Sequence, residues 1–419
     1  MIASTQRFRR DQWQMLLAAM FCYLFFYTGR HNFGWAASDL ARDLGINYTQ
    51  IGWISFAMLI GYAVGQLING NLADRFSPRV MIALGGLLSV AANFSISFSS
   101  TYTLILVFWA MNGYFQSMAW APGSRLISNW WGKDERGKAF GMYTMAAGSS
   151  SVVTYLLSVL LIRQEAHWSY IFRVPVLFLL LAVVIFFFLA RSKPSDKGYP
   201  DLYHEGPQLP QPTWKDRYAA VFGNRRFLIA SIALGCESMA RYGLIVWVPV
   251  HFLGNQHTQG TNQIWASLLM PFGMALGAFS FGTLSDTLFK GNRPASIRAG
   301  MLAASLVSLV IYFTPTTYPV AAGALMLLAG FFVYGPQANF WPMSPELLGE
   351  KYVGTGVGVM NMCAYLFAAF GEPILGKTID VTGDTASVFI VIAVICAMSS
   401  IIISFCSYKN ATRSVPSLI

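Results

Sequence analysis

Apolar residues run in long blocks along almost the whole chain, and polar residues are confined to short intervals between them. A block of about 20 residues crosses the hydrocarbon of a bilayer as a helix. The pattern predicts twelve such helices, over 13–36, 50–71, 80–99, 102–128, 139–162, 169–190, 227–252, 264–286, 296–314, 319–343, 353–376 and 386–407. An even number puts both termini on one side. The longest polar stretch, 191–226, is rich in Pro, Lys and Asp and separates the sixth block from the seventh, so it reads as a linker. The expected fold is an all-α membrane protein, with twelve transmembrane helices in two six-helix bundles, 1–190 and 227–419.

The halves repeat one another weakly. Gly70-Asn-Leu-Ala-Asp-Arg75 closes the second block and Gly282-Thr-Leu-Ser-Asp286 the eighth, an offset of 212 residues between Asp74 and Asp286. Arg30 and Arg241, each in the first block of its half, are offset by 211. Two landmarks with nearly one shift indicate a parallel internal repeat, which sets the first helices of the halves facing each other across a central cavity. Paired glycines (Gly61 and Gly65, Gly273 and Gly277, Gly354 and Gly358) read as close helix packing.

Composition sharpens this. The 419 residues are 55% hydrophobic and 11% charged, against about 25% charged in soluble domains. No polar segment is long enough to build a separate soluble domain. The net charge of +10 raises nucleic acid as a partner, but its distribution argues for a bilayer instead. If the N-terminus is cytoplasmic, 22 of the 28 Lys and Arg lie on that side and four (Arg42, Arg163, Arg173, Lys377) on the other. That bias sets the orientation, with both termini cytoplasmic. The five cysteines all fall in or at the ends of apolar blocks without ligand-like spacing, and read as packing residues. The N-terminus lacks a short apolar region with a cleavage site, so the first helix is expected to be retained. The five histidines have no metal-ligand spacing and no glycine-rich nucleotide loop occurs, so neither an enzyme, a metal, a cofactor nor ATP is implied.

The chemistry begins at Arg30. An arginine inside a spanning helix costs about 2.5 kcal/mol or more, so it faces a water-filled cavity, a partner or an anionic ligand; the bland alternative is that it snorkels to the interface. Tyr23 and Tyr27 lie seven and three residues before it, on the same helical face. A guanidinium beside phenol hydroxyls can hold an oxyanion bidentately. Two acids accompany the second arginine's half. Glu237 lies four residues before Arg241, where it can neutralise it, and Glu372 sits beside Pro373 in the eleventh block as a candidate proton carrier.

Gly70 to Arg79 (GNLADRFSPR), with its degenerate copy Gly282 to Arg293, resembles the loop signature of the major facilitator superfamily. That resemblance implies a conformational latch formed by Asp74, Arg75, Arg79, Asp286 and Arg136. More specific is the set Tyr23, Tyr27, Arg30, Asn32 and Phe33; Trp130-Trp131 with Glu135-Arg136-Gly137; Arg241-Tyr242-Gly243 followed by Trp247 and Pro249; Ser285-Asp286 with Gly291-Asn292-Arg293; and Tyr334-Gly335-Pro336-Gln337. Together these resemble the organophosphate:phosphate antiporters, whose members include glycerol-3-phosphate, hexose-6-phosphate and phosphoglycerate transporters. The resemblance implies a secondary transporter, a monomer of a bacterial inner membrane, that moves a small organic anion by alternating access. Arg30 and Arg241 match the family's paired substrate arginines, and Tyr23, Tyr27, Tyr62, Trp120, Tyr334 and Tyr365 match aromatic positions of its central cavity.

The departures matter as much. The family's histidine in the fifth helix is Ala147 here, its lysine eight residues before the motif Asp is Gln66, and the lysine after the first arginine is His31. The site is less positive than its relatives' sites, and it gains Glu237 and Glu372. Exchange for inorganic phosphate and coupling to protons both stay open, as do a non-phosphate organic anion such as a polycarboxylate or siderophore, and a transporter-like receptor for a sugar phosphate.

Overall fold

A computed structural model describes residues 2–73, 75–202, 213–254, 264–315, 317–349 and 352–406. The helices are α1 (Ile2–Phe26), α2 (Phe33–Leu44), α3 (Tyr48–Leu72), α4 (Pro78–Ser97), α5 (Tyr102–Gln116), α6 (Trp120–Trp130), α7 (Lys133–Arg163), α8 (Ser169–Leu189) and α9 (Trp214–Gly223). They continue with α10 (Arg225–Gly254), α11 (Ile264–Ser267), α12 (Leu269–Thr287), α13 (Arg293–Phe313), α14 (Pro319–Tyr334), α15 (Gln337–Phe340), α16 (Met343–Leu348), α17 (Val353–Thr382) and α18 (Val388–Ser404). Among the described residues nine helical stretches are long and apolar enough to cross a membrane.

The other three expected crossings are also helical, and two of them are interrupted. The first is broken: α1 ends at Phe26, a 3-10 turn covers Tyr27–Gly29, and α2 starts at Phe33. Arg30 therefore sits in a break and not inside a continuous helix. The fourth crossing is split into α5 and α6 around Ser117–Ala119, whereas the fifth is the single helix α7, Lys133–Arg163. The polar stretch 191–226 is also more ordered than a free linker. Trp130 Nε1 donates to Arg191 O (2.9 Å), Lys197 Nζ lies 2.8 Å from Asp11 Oδ1, and Tyr199 OH donates to Asp11 Oδ2 (2.9 Å), so its first part is tied to the first half; α9 lies near its end.

A broken helix in an apolar interior leaves carbonyls that water cannot reach, each costing several kcal/mol unless paired. Side-chain amides meet them. Gln116 donates to Phe26 O (2.9 Å), while Asn93 and Asn112 both donate to Gly29 O (3.1 and 2.8 Å). Proline creates the same need elsewhere, because it removes the N–H that would bond the carbonyl four residues earlier. Pro175 frees Ile171 O, which accepts from Asn32 Nδ2 (3.0 Å). Pro249 frees Ile245 O, which accepts from Tyr155 OH (3.0 Å). The second bond joins α7 to α10 and so spans the two halves.

The halves meet most extensively along α3 and α17, with further contacts of α2 on α10 and α7 on α12. Measured from the end where α1 begins, these contacts concentrate at the far end. Gly52 of α3 lies against the backbone of Glu372 and Pro373, and Gly376 lies against Tyr48, so close that a Cβ at either would strike main chain. Asp380, near the end of α17, accepts from Tyr48 N (2.9 Å) and Thr49 N (2.7 Å), capping the first turn of α3 from the opposite half. Trp247 of α10 donates to Glu372 Oε2 (3.0 Å) beside the same seam. Of the paired glycines, Gly61, Gly65, Gly273 and Gly277 do sit where a side chain would collide with a neighbouring helix; Gly358 faces open space, which corrects that expectation, and Gly354 lies outside the residues whose surroundings are described. The five cysteines are free thiols, four of them buried.

Candidate functional site

Between the halves, on the α1 side of the far-end seam, lies a cavity of about 330 Å³. α17 shows how one helix serves both regions. Val357, Asn361 and Tyr365, at successive intervals of four, face the cavity, and further along the helix Glu372, Gly376 and Asp380 meet the other half. The remaining wall is Tyr23, Tyr27, Tyr62, Trp120, Arg241, Tyr334, Gln337 and Trp341. Aromatic rings dominate. Tyr23 and Trp120 both stack on Tyr143 (centroids 4.6 and 5.7 Å apart), and Tyr62 meets Tyr365 across the halves at 4.4 Å.

The two arginines are both buried yet differently placed. Arg30 is 6% exposed and sits against the rings of Tyr27 (4.0 Å) and Tyr62 (4.9 Å), which form the cavity wall. Its Nε and Nη1 have no hydrogen-bond partner among the described residues. Arg241 is 8% exposed, lines the cavity directly, and lies over Tyr242 (4.4 Å) and Tyr334 (5.4 Å). Glu237, fully buried one turn earlier, brings Oε1 to 3.7 Å from Arg241 Nε, longer than a hydrogen bond, and Oε2 accepts from Ser238 Oγ (2.9 Å). A buried charge without paired hydrogen bonds is expensive, so a cavity that keeps guanidinium N–H groups unsatisfied is built to receive an acceptor from outside. Arg binds tetrahedral or planar oxyanions through two parallel N–H groups.

Seven of the ten predicted binding residues line the cavity: Tyr23, Tyr27, Tyr62, Trp120, Arg241, Tyr334 and Tyr365. Arg30 adjoins it through Tyr27 and Tyr62. Two others fall outside its wall. His31 is buried with Nδ1 2.8 Å from Ser151 Oγ, and Gln66 is half-buried one turn from Tyr62. Glu372 lies at the seam, not in the cavity. Of the expected latch, Asp74 and the Arg136 side chain lie outside the described residues. Arg75 and Asp286 are exposed, and Arg79 donates through Nε to Phe187 O (2.7 Å) with its guanidinium over that ring. Arg79 is thus bound within its own half in this conformation.

Several residues escaped the sequence reading. Gln337 and Asn361 are the cavity's two amides. Gln337 closes the motif that begins at Tyr334, and Asn361 is one turn before Tyr365, so helical spacing from a singled-out tyrosine would have found it. Asn93, Asn112 and Gln116 carried the same signal as Arg30, a strongly polar side chain in an apolar block.

The description of the Major Facilitator Superfamily matches residues 19–372. The chain belongs to that superfamily. As a facilitator it aligns with the glycerol-3-phosphate transporter of Bacillus subtilis at 24% identity, over 89% of this chain and 87% of that one. It aligns with the phosphoglycerate transporter protein of Salmonella typhimurium at 28% identity, over 88% and 83%. Among solved structures, a bacterial homologue of the human lysosomal transporter Spinster, in an inward-facing and unoccupied conformation, superposes with a TM-score of 0.76 at 16% identity, over 96% of this chain and 99% of that one. That likeness carries the facilitator fold. The two curated relatives are transporters of phosphorylated metabolites by name, in keeping with the resemblance to the organophosphate:phosphate antiporters.

Proposed function

We propose that this facilitator is a secondary transporter of a phosphorylated small organic anion in a bacterial cell membrane, working by alternating access between two bodies, 1–190 and 227–419. The observation that carries the reading is the pair Arg30 and Arg241, one from the first crossing of each half, buried at a single aromatic-walled cavity with guanidinium N–H groups unsatisfied. Excess Lys and Arg at the α1 end supports a cytoplasmic placement of that end. In that orientation the far-end seam is the external gate, closed here, and the cavity serves the inside.

The working cycle follows from the contacts. An oxyanion that engages Arg241 and draws Arg30 toward it bridges the halves, and the bridge offsets the loss of the Tyr155–Ile245, Asp380–α3 and Gly52–Glu372 contacts when the external seam parts. The aromatic wall packs on the organic moiety. Inorganic phosphate returns the carrier in an exchange mode, or a proton is taken up with the anion in a coupled mode.

The test is thermal denaturation of the purified protein with inorganic phosphate, glycerol 3-phosphate, phosphoglycerate, hexose phosphates and citrate, with Arg30→Ala as control. A bound ligand raises apparent stability by mass action. Stabilisation by a phosphate ester and by phosphate, lost in the variant, is the expected result. Stabilisation by citrate alone overturns the phosphate reading and keeps the anion site.

A further inference from the structure

Glu237 has no evident structural task. It is fully buried in the middle of α10, its Oε1 has no hydrogen-bond partner among the described residues, and its approach to Arg241 stops at 3.7 Å. Arg30, the matching arginine, has no acidic group beside it in any contact described. The cavity's fixed charges therefore sum to a single positive charge when Glu237 is ionised. A phosphate monoester carries close to two negative charges above its second ionisation, at about pH 6. The dianion over-neutralises this site, whose arginines are buried, by one charge.

We infer that Glu237 is a specificity-determining residue that makes the site take up one proton with each phosphate-ester dianion. The proton resides either on the ester or on Glu237, and the count is the same. This rests on the proposed function, and it changes what the transport cycle moves: ester plus proton together, without net charge left at the loaded site.

Other titratable groups near Glu237 do not duplicate the role. Cys236 and Arg241 share its helix, Tyr334 reaches it from α14, and Cys396 from α18. Thiols and phenols carry no charge near neutrality. Glu372 also lies on the α10–α17 interface but bonds Trp247, ten residues along α10 from Glu237 or about 15 Å of helix. His31, next to Arg30, is the one rival, since it titrates in this range when unperturbed.

The experiment is titration calorimetry of the full-length protein in detergent at pH 8, with whichever phosphate ester stabilises it. Each titration is run in two buffers of different ionisation heat, so that the proton number is read directly. The wild type should take up about one proton per ester bound. Glu237→Gln should bind with about none, Glu237→Asp should restore about one, and His31→Gln should leave the number unchanged. A sulfate monoester, a fixed monoanion, should bind the wild type with no uptake. Wild-type binding at pH 8 without proton uptake overturns the inference and leaves the proposed function standing, and this holds even where the Gln variant fails to fold. Uptake that persists in Glu237→Gln, or that vanishes in His31→Gln, also overturns it. Absence of heat or stabilisation with every ester removes the proposed function, and the inference falls with it.

Discussion

Arg30 and Arg241 occupy matching places in an internal repeat, yet their surroundings differ at every level. Arg30 sits in a helix break whose freed carbonyls are held by Asn93, Asn112 and Gln116, and its guanidinium lies against the rings of Tyr27 and Tyr62. Arg241 lies in the continuous α10, opens on the cavity, and has Glu237 one turn away. The repeat thus preserves where positive charge is placed and not how it is compensated. A half that interrupts its helix must supply amides to hold the break. A half that keeps its helix can instead place a carboxylate at the i−4 position, where an uninterrupted turn brings it to the arginine.

The largest way to test this contrast is substitution of each arginine by lysine. Lysine keeps the charge and loses the paired N–H geometry. Arg30→Lys should lower phosphate-ester uptake into proteoliposomes by about 100-fold, or about 2.7 kcal/mol, within the range for truncating one side of a buried charged contact, and Arg241→Lys by about tenfold, or about 1.4 kcal/mol, below it. Equal losses would erase the distinction, and wild-type rates in both would remove the site.

Next in size is the break itself. Asn112→Leu removes one of the two donors to Gly29 O and leaves the Ser89 hydroxyl without its acceptor, at a cost of about 1–3 kcal/mol read as a fall in melting temperature. In the continuous helix of the other half, Ser231→Ala loses only a bond to its own Phe227 carbonyl and should stay within about 0.5 kcal/mol. Similar losses would mean that the break needs no support. A third substitution bears on the seam: Asp380→Ala removes the cap on α3 at a cost of about 1 kcal/mol, and spin-label distances between α3 and α17 at that end should lengthen. Unchanged distances would show that the glycine contacts alone hold it shut.

The smallest effect belongs to Asp11. Burial pushes its carboxyl up, but the bonds from Lys197 and Tyr199 more than reverse this and leave it below its ordinary value. A carboxyl lowered by folding stabilises above its unfolded value, about 3.9, and that contribution disappears as pH falls through the folded value. Asp11→Asn should therefore reduce the melting temperature at pH 7, by about 0.5 kcal/mol equivalent, and make no difference at pH 2. An equal reduction at both values would mean that the loss is one of packing.

The helical, membrane-spanning character was legible because a bilayer imposes block length: nine of the twelve expected crossings are, among the described residues, helices long and apolar enough to span it. The cavity was legible where a residue was costly enough to stand out, as with Arg30, or lay at helical spacing from one that did, as with Tyr27. What the sequence hid was compensation. Nothing local says that Asn112 answers a carbonyl of Gly29, or that Tyr155 fills the bond Pro249 removes, because partner and need are far apart in the chain and joined only by packing. Arg79 is a related case: it has a carbonyl and a ring within its own half that the loop motif does not announce.

Gly52 and Gly376 carry a mechanical consequence. Where two helices touch main chain to main chain, no side chain can yield between them, so the contact tolerates little between fully shut and parted. The seam is then a close-fitting gate with no half-shut setting, and a single methyl group added to either glycine would act as a wedge.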